Sequence, residues 1–193
     1  DPKRVIGNTQ RIHVILGFLK KQQPGKSYDL LIDLSQSIAA LIDECILSGI
    51  DLEKIGSYFQ NLTDVKPHQK TFHSIIVSYY EYLQKNNLIE KTQQNFNDIR
   101  DAAQLLDDTY SKTKNLPHPI ILAGTTGTIP AVQKLAKTLL NLENGYVVLP
   151  GLQSAGQEYP ITHPLHTQAE FVKAIDQQSD AYQMWYGVGS ENS

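Results

Sequence analysis

Apolar residues recur at spacings of three and four along most of the first 115 positions, and that period gives way further on to short, uninterrupted apolar runs. Between Thr9 and Lys21, Ile12, Ile15, Leu16 and Leu19 mark one face of an amphipathic helix that Pro24-Gly25 stops. From Tyr28 to Leu47 the same spacing runs through Leu31, Leu34, Ile38, Leu41, Ile42 and Cys45, with Gly49 placed to terminate it. Asp51 resembles an N-cap for a short helix through Leu52, Ile55 and Phe59. A longer helix is expected from Pro67 to Gln84, with Phe72, Ile75, Ile76, Tyr79 and Leu83 inward. Another is expected from about Thr92 to Lys114, with Phe96, Ile99, Ala103, Leu106 and Tyr110 inward. The spacing makes the first 115 residues helical throughout, and Leu116-Pro117-His118-Pro119 punctuates the change to strand.

Beyond that point the pattern changes kind. Ile120-Ile121-Leu122-Ala123 is an apolar run of strand length that breaks into Gly124-Thr125-Thr126-Gly127-Thr128. Pro130 follows where the first turn of a helix tolerates it, and a second run begins at Tyr146-Val147-Val148-Leu149 before Pro150-Gly151-Leu152. The stretch from Ile129 to Asn144 is long enough for the crossover that parallel neighbours need, so the two strands are expected to pair in parallel. Two strands make an incomplete parallel sheet, since such sheets are covered on both faces and carry more strands. The chain is therefore read as a fragment, mainly α with a partial α/β layer: a helical domain over 1–117 and a partial α/β segment over 118–193. A start at Asp-Pro-Lys-Arg agrees with excision from a longer protein. An irregular loop is expected over 150–163, then a last helix from Pro164 to Ile175 with Phe171 and Ile175 inward.

Composition narrows the function classes. With 17 Lys plus Arg against 20 Asp plus Glu the net charge is -3, so no bulk field draws the chain to nucleic acid or to an anionic membrane, and a DNA contact must be local. Lys3, Arg4, Arg11, Lys20, Lys21 and Lys26 gather near the first helix; a solvated helix face is the commoner meaning of such a group, a DNA-binding patch the alternative. Cys45 is the sole cysteine, which excludes an intrachain disulfide and suits a reducing, cytoplasmic setting. No apolar run approaches the roughly 20 residues that span a bilayer.

The leading candidate site is the Gly/Thr loop. Thr125, Thr126, Gly127 and Thr128 stand between a strand and a helix, where backbone N–H groups and the helix N-terminus suit an anion. Ile129-Pro130 occupies the place where a nucleotide-binding P-loop carries Lys and Ser or Thr, and the G-x-x-G spacing does not fit the dinucleotide fingerprint. The loop is either a seat for a nucleic-acid phosphate or a structural turn. His163 and His166 have no companion ligands, and His68 and His73 are five apart, so no metal is assigned. Asp98, Asp101, Asp107 and Asp108 read as a solvated helix face. No catalytic residue is assigned, because no G-x-S-x-G elbow or acid/base pair stands out. Of Tyr79, Tyr80 and Tyr82, one or two can face the core. The remainder either stacks on bases of a single strand beside Lys85 and Lys91 or packs on a neighbour. Tyr182, Met184, Trp185 and Tyr186 are expected to pack against sequence outside the fragment.

The ordered set Ala123-Gly124-Thr125-Thr126-Gly127-Thr128-Ile129-Pro130-Ala131, then Gly145, Val147-Val148-Leu149-Pro150-Gly151-Leu152 and His163-Pro164, resembles the AddB family, the subunit of AddAB double-strand-break repair helicase-nucleases of alphaproteobacterial type. The helix around Arg11 and the His68-Gln69 and Phe72 positions add to the likeness. The family commonly has Asp after Pro-Gly-Leu and Gln after His-Pro, where Gln153 and Leu165 stand here, so no catalytic role is carried over. The resemblance implies a helical insertion of the 1B type followed by chain returning to a RecA-like sheet. It implies an inactivated superfamily 1 helicase that contacts or guides single-stranded DNA, with an AddA-type helicase-nuclease subunit as partner, and it places the nuclease and iron-sulfur parts outside this span, so no cofactor is expected here. Two alternatives stay open: a protein-docking scaffold without DNA affinity, and a domain that binds a small phosphorylated ligand at the Gly/Thr loop.

Overall fold

The computed structural model describes residues 2–54, 66–149 and 159–175, apart from the side chains of Pro67 and His68. The described chain is mainly helical, with two small parallel sheets of two strands each. It divides into two compact units, 1–99 and 100–193, with the boundary inside one helix.

In the first unit, β1 (Arg4–Val5) leads into α1 (Asn8–Gln22) and α2 (Tyr28–Leu47). After α3 (Pro67–Lys85) come β2 (Leu88–Ile89) and the start of α4 (Lys91–Tyr110). The helices fall where the three-and-four spacing puts them. Gly49 ends α2 at φ +75°, with its own N–H donating to Ile46 O and the Ile50 N–H donating back to Cys45 O at 2.8 Å, the pair of bonds that closes a helix through a left-handed residue. Asp51 caps the next turn as its sequence suggests, its Oδ1 accepting the Glu53 N–H at 3.0 Å; Ile55 and Phe59 of that segment lie outside the described residues. At α3, Pro67 takes the first turn and the Lys66 N–H donates to Gln69 Oε1. The helices enclose one core in which Ile15, Leu19, Ile42, Ile46, Ile75, Ile76 and Tyr79 lose nearly all contact with solvent, each aliphatic side chain contributing about 1.5–3 kcal/mol.

A helical reading of the whole first 115 residues is corrected at two places by this unit. Arg4 and Val5 pair in parallel with Leu88 and Ile89, joined through Arg4 N–H to Asn87 O and Ile6 N–H to Ile89 O, each 3.0 Å. Asn87 makes the turn out of α3 at φ +52°, a conformation that Asn tolerates better than most residues. Each strand is two residues long, too short to print an alternating pattern on the sequence.

The second unit holds the rest of α4, then β3 (Asn115–Ala123), α5 (Pro130–Leu140), β4 (Glu143–Val148) and α6 (His166–Ala174). The expected β-loop-α-β unit is present: β3 and β4 pair in parallel from Ile120 opposite Gly145 to Ala123 opposite Val148, and Pro130 opens α5. The strand does not wait for the two prolines, however. It starts at Asn115, and between Asn115↔Glu143 and Ile120↔Gly145 the register slips, because Pro117 and Pro119 bring no N–H to the ladder. Asn144 bridges the slip with its Nδ2, which lies 3.3 Å from Asn115 Oδ1 and 3.2 Å from Leu116 O.

The sheet has two different faces. Leu122 and its cross-strand partner Val147 pack into a cluster with Ala136 of α5 and Phe171 and Ile175. Ile121 and its partner Tyr146 point the other way and remain 59% and 50% exposed. A second cluster gathers Leu116, Leu139 and Leu142, with Leu106 and Tyr110 against it. As the spacing predicts, Phe171 and Ile175 face inward on the last helix, which starts at His166 rather than Pro164. The loop expected over 150–163 falls largely on 150–158, and Tyr182 to Tyr186 fall at the C-terminus, all outside the described residues.

Candidate functional site

The Gly/Thr loop lies at the C-terminal end of β3 and opens into α5, with Gly124 at φ +74° and Gly127 at φ +71° making the turn. Its four candidate residues split into two roles. Thr125, half-buried, accepts the Gly127 N–H on its Oγ1 at 3.0 Å, and Gln133 Nε2 donates to Gly127 O at 2.8 Å, so both backbone groups of Gly127 are spent inside the protein. Gly127 is itself buried under Phe171: a Cβ there would sit 2.0 Å from the ring. Glycine is required twice over, by the left-handed backbone and by the close approach of α6. Thr126 and Thr128 are exposed, and they are the donors that the loop turns toward solvent.

The helix behind the loop favours an anion by its dipole alone. Ile129 precedes it in extended conformation, no side chain caps it, and Pro130 supplies no N–H. No Asp, Glu, Lys or Arg occurs from Asn115 to Gln133, and the next residue, Lys134, donates through Nζ to Gln104 Oε1 at 2.8 Å. The loop thus offers hydroxyls and a partial positive field without a formal charge.

The other candidates resolve into packing. Tyr79 is fully buried; the Tyr80 hydroxyl donates to Glu53 Oε2 at 3.2 Å, and the Tyr82 hydroxyl accepts from Gln10 Nε2 at 3.2 Å. Tyr80 and Tyr82 are half-buried against the core of the first unit, with their hydroxyls engaged within it. His163 stacks on Tyr159 with centroids 4.5 Å apart and accepts the Leu165 N–H on Nδ1, while His166 Nδ1 lies 2.8 Å from Tyr159 O. The two histidines organise a turn, and among the described residues no group of three His, Cys, Asp or Glu is placed to hold a metal. Asp98, Asp101, Asp107 and Asp108 are exposed along α4, as a solvated face requires. Burial, and then the neighbouring Glu44 charge, push the Cys45 thiol above its ordinary pKa, which makes it a poor nucleophile.

One constellation escaped the sequence reading. Arg11, placed there with the basic flank, is only 8% exposed. Its Nη2 donates to Ala39 O at 2.7 Å and its Nη1 to Asp43 Oδ2 at 2.8 Å. Its Nε lies 2.9 Å from Glu90 Oε1, a contact of charges in which the N–H does not point at the oxygen. Tyr79 donates to the same Glu90 oxygen at 2.5 Å, and Thr92 to Asp43 Oδ1 at 2.5 Å. Burial works against the Arg11 charge, yet the Asp43 hydrogen bond and the charges of Glu90 and Asp43 outweigh it and hold the guanidinium above its ordinary pKa. Burial dominates at Glu90 and raises its carboxyl pKa, although Tyr79 and Arg11 pull it down. Tyr79 is raised strongly by burial and by Glu90. The network ties α1, α2, α3 and the start of α4 together, with Arg11, Tyr79 and Glu90 buried and Asp43 at its half-exposed rim, so it holds the fold rather than a ligand. The available signal was position: Arg11 stands four and eight residues before Ile15 and Leu19, in the buried row of α1.

Among the described residues no helix is long and apolar enough to cross a membrane. Comparison with known proteins adds no relative: no family model matches the chain, and no curated protein or solved structure matches it.

Proposed function

We propose that this chain is a non-catalytic piece of a DNA double-strand-break repair subunit of the AddB type, which contacts or guides single-stranded DNA and works beside an AddA-type helicase-nuclease subunit. The observation that carries this reading is the loop from Gly124 to Thr128 at the C-terminal end of a parallel strand, with Thr126 and Thr128 exposed at the start of α5. Ligands of open parallel sheets sit beyond that end of the strands, and a helix N-terminus with hydroxyls suits a phosphate. Among the described residues the sheet is also uncovered on the Ile121 and Tyr146 face, as a corner of a larger RecA-like layer would be.

In this reading the four loop residues divide the work. Gly127 and Thr125 shape the loop, and the hydroxyls of Thr126 and Thr128 reach the DNA backbone. Fluorescence anisotropy with a labelled oligothymidine tests this: weak binding that weakens as salt rises is expected, the log–log slope falling by about 0.7 for each phosphate contacted. Thr126→Ala with Thr128→Ala should weaken binding several-fold at low salt. Unchanged affinity in the double variant removes the loop from the interface, and no binding at low salt removes the DNA reading in favour of a docking scaffold.

A further inference from the structure

Helix α2 carries a surface that the DNA reading does not use. Its buried row is Leu31, Ser35, Ile38, Ala39, Ile42 and Ile46. Beside that row runs a second apolar stripe, Leu30, Leu34, Leu41 and Cys45, at spacings of four, seven and four residues, which keep one line along a helix. Leu34 and Cys45 are half-buried against the core, but Leu30 and Leu41 remain 40% and 39% exposed. On the far side of the stripe comes the row Asp33, Ser37, Ala40 and Glu44, with Asp29 next to it. No Lys or Arg occurs from Ser27 to Glu53. Asp29, Asp33 and Glu44 are exposed and form no ion pair among the described residues.

An apolar line bordered by unneutralised carboxylates selects its occupant by charge. A second copy of the same face would set acid against acid, and an anionic strand would be repelled. We infer that the Leu30–Cys45 stripe of α2 docks a basic amphipathic helix of a partner protein, with leucine-type side chains along the stripe and Lys or Arg over Asp33 and Glu44. This is helix-on-face recognition, with apolar anchors setting affinity and the charged row setting register and choice of partner.

The test uses the full chain and a synthetic amphipathic peptide of leucine and lysine heptads, with a leucine and glutamate peptide of the same pattern as control. Binding is followed by peptide fluorescence anisotropy and by protection of Cys45 from alkylation. The lysine peptide should bind, slow Cys45 alkylation and weaken at least tenfold with Leu41→Asp. It should weaken severalfold with Asp33→Lys and Glu44→Lys together, which should admit the glutamate peptide instead. Because Leu41 and both acids are exposed, circular dichroism should report an unchanged fold. Equal binding of both peptides, binding indifferent to Leu41→Asp, or Cys45 protection without added peptide that grows with protein concentration would overturn the inference, the last by making a second copy the occupant.

Discussion

The two units solve the burial problem to different depths. The first encloses a continuous core from Ile6 to Leu88 beside a largely buried ion network. Among the described residues, the second has two clusters of three buried residues each, and Ile121 and Tyr146 on one face of its sheet stay exposed. A fold that burns conformational entropy needs buried apolar surface to offset it, so the first unit is internally supported while the second keeps surface in reserve. Among the described residues, a continuous core marks the first unit as the better-supported scaffold, and exposed apolar sheet marks the second.

The largest expected effect lies in the scaffold. Arg11→Ala leaves Glu90, 3% exposed at its side chain, without its counter-charge, and removal of one member of a buried pair costs about 3–5 kcal/mol. Hydrogen exchange should show lost protection across α1 to α3 while β3 and β4 amides keep theirs; uniform loss over both units would break the comparison. Next comes Gly127→Ala, where a Cβ meets the Phe171 ring at 2.0 Å on a left-handed backbone, and overpacking costs about 1–3 kcal/mol. Its effect should be confined to α6 and the Gly/Thr loop, read from the same exchange experiment, and a loss of protection in α1 to α3 would contradict it.

The smallest effect is a pH dependence confined to the first unit. The Glu90 carboxyl is raised in the folded state, so across the window from its unfolded value of about 4.5 up to the raised value the native protein binds more protons than the unfolded chain. Its contribution to stability is therefore fully present below that window and is lost as pH rises through it. Urea midpoints taken across the window should fall with rising pH in the native sequence more steeply than in Glu90→Gln; parallel curves would assign the pH dependence to other groups.

The sequence rendered some of this plainly. Helices α1, α2 and α3 and the β3–α5–β4 crossover follow from apolar spacing and from proline placement, because the periods of 3.6 and 2 are set by the same core contacts that stabilise the elements. What it hid is non-local. β1 and β2 are two residues each, and Arg4 meets Leu88 only once α1, α2 and α3 have folded back. The start of β3 is concealed by Pro117 and Pro119, which look like a break and act as a register slip. Arg11 belongs by position to the buried row of α1, but its partners Asp43 and Glu90 lie on other elements, and charge alone argued for the surface. Within the Gly/Thr loop, the exposed Thr126 and Thr128 could not be told from the self-bonded Thr125 without the Phe171 contact that fixes Gly127.

The register slip has a directional consequence. Pro117 and Pro119, two residues apart, fall on the same edge of β3, so that edge has no donor between Asn115 and Ile121. The opposite edge keeps the N–H groups of Leu116, His118, Ile120 and Leu122, so the prolines make β3 a one-sided strand: interrupted toward one neighbour, continuous toward the other.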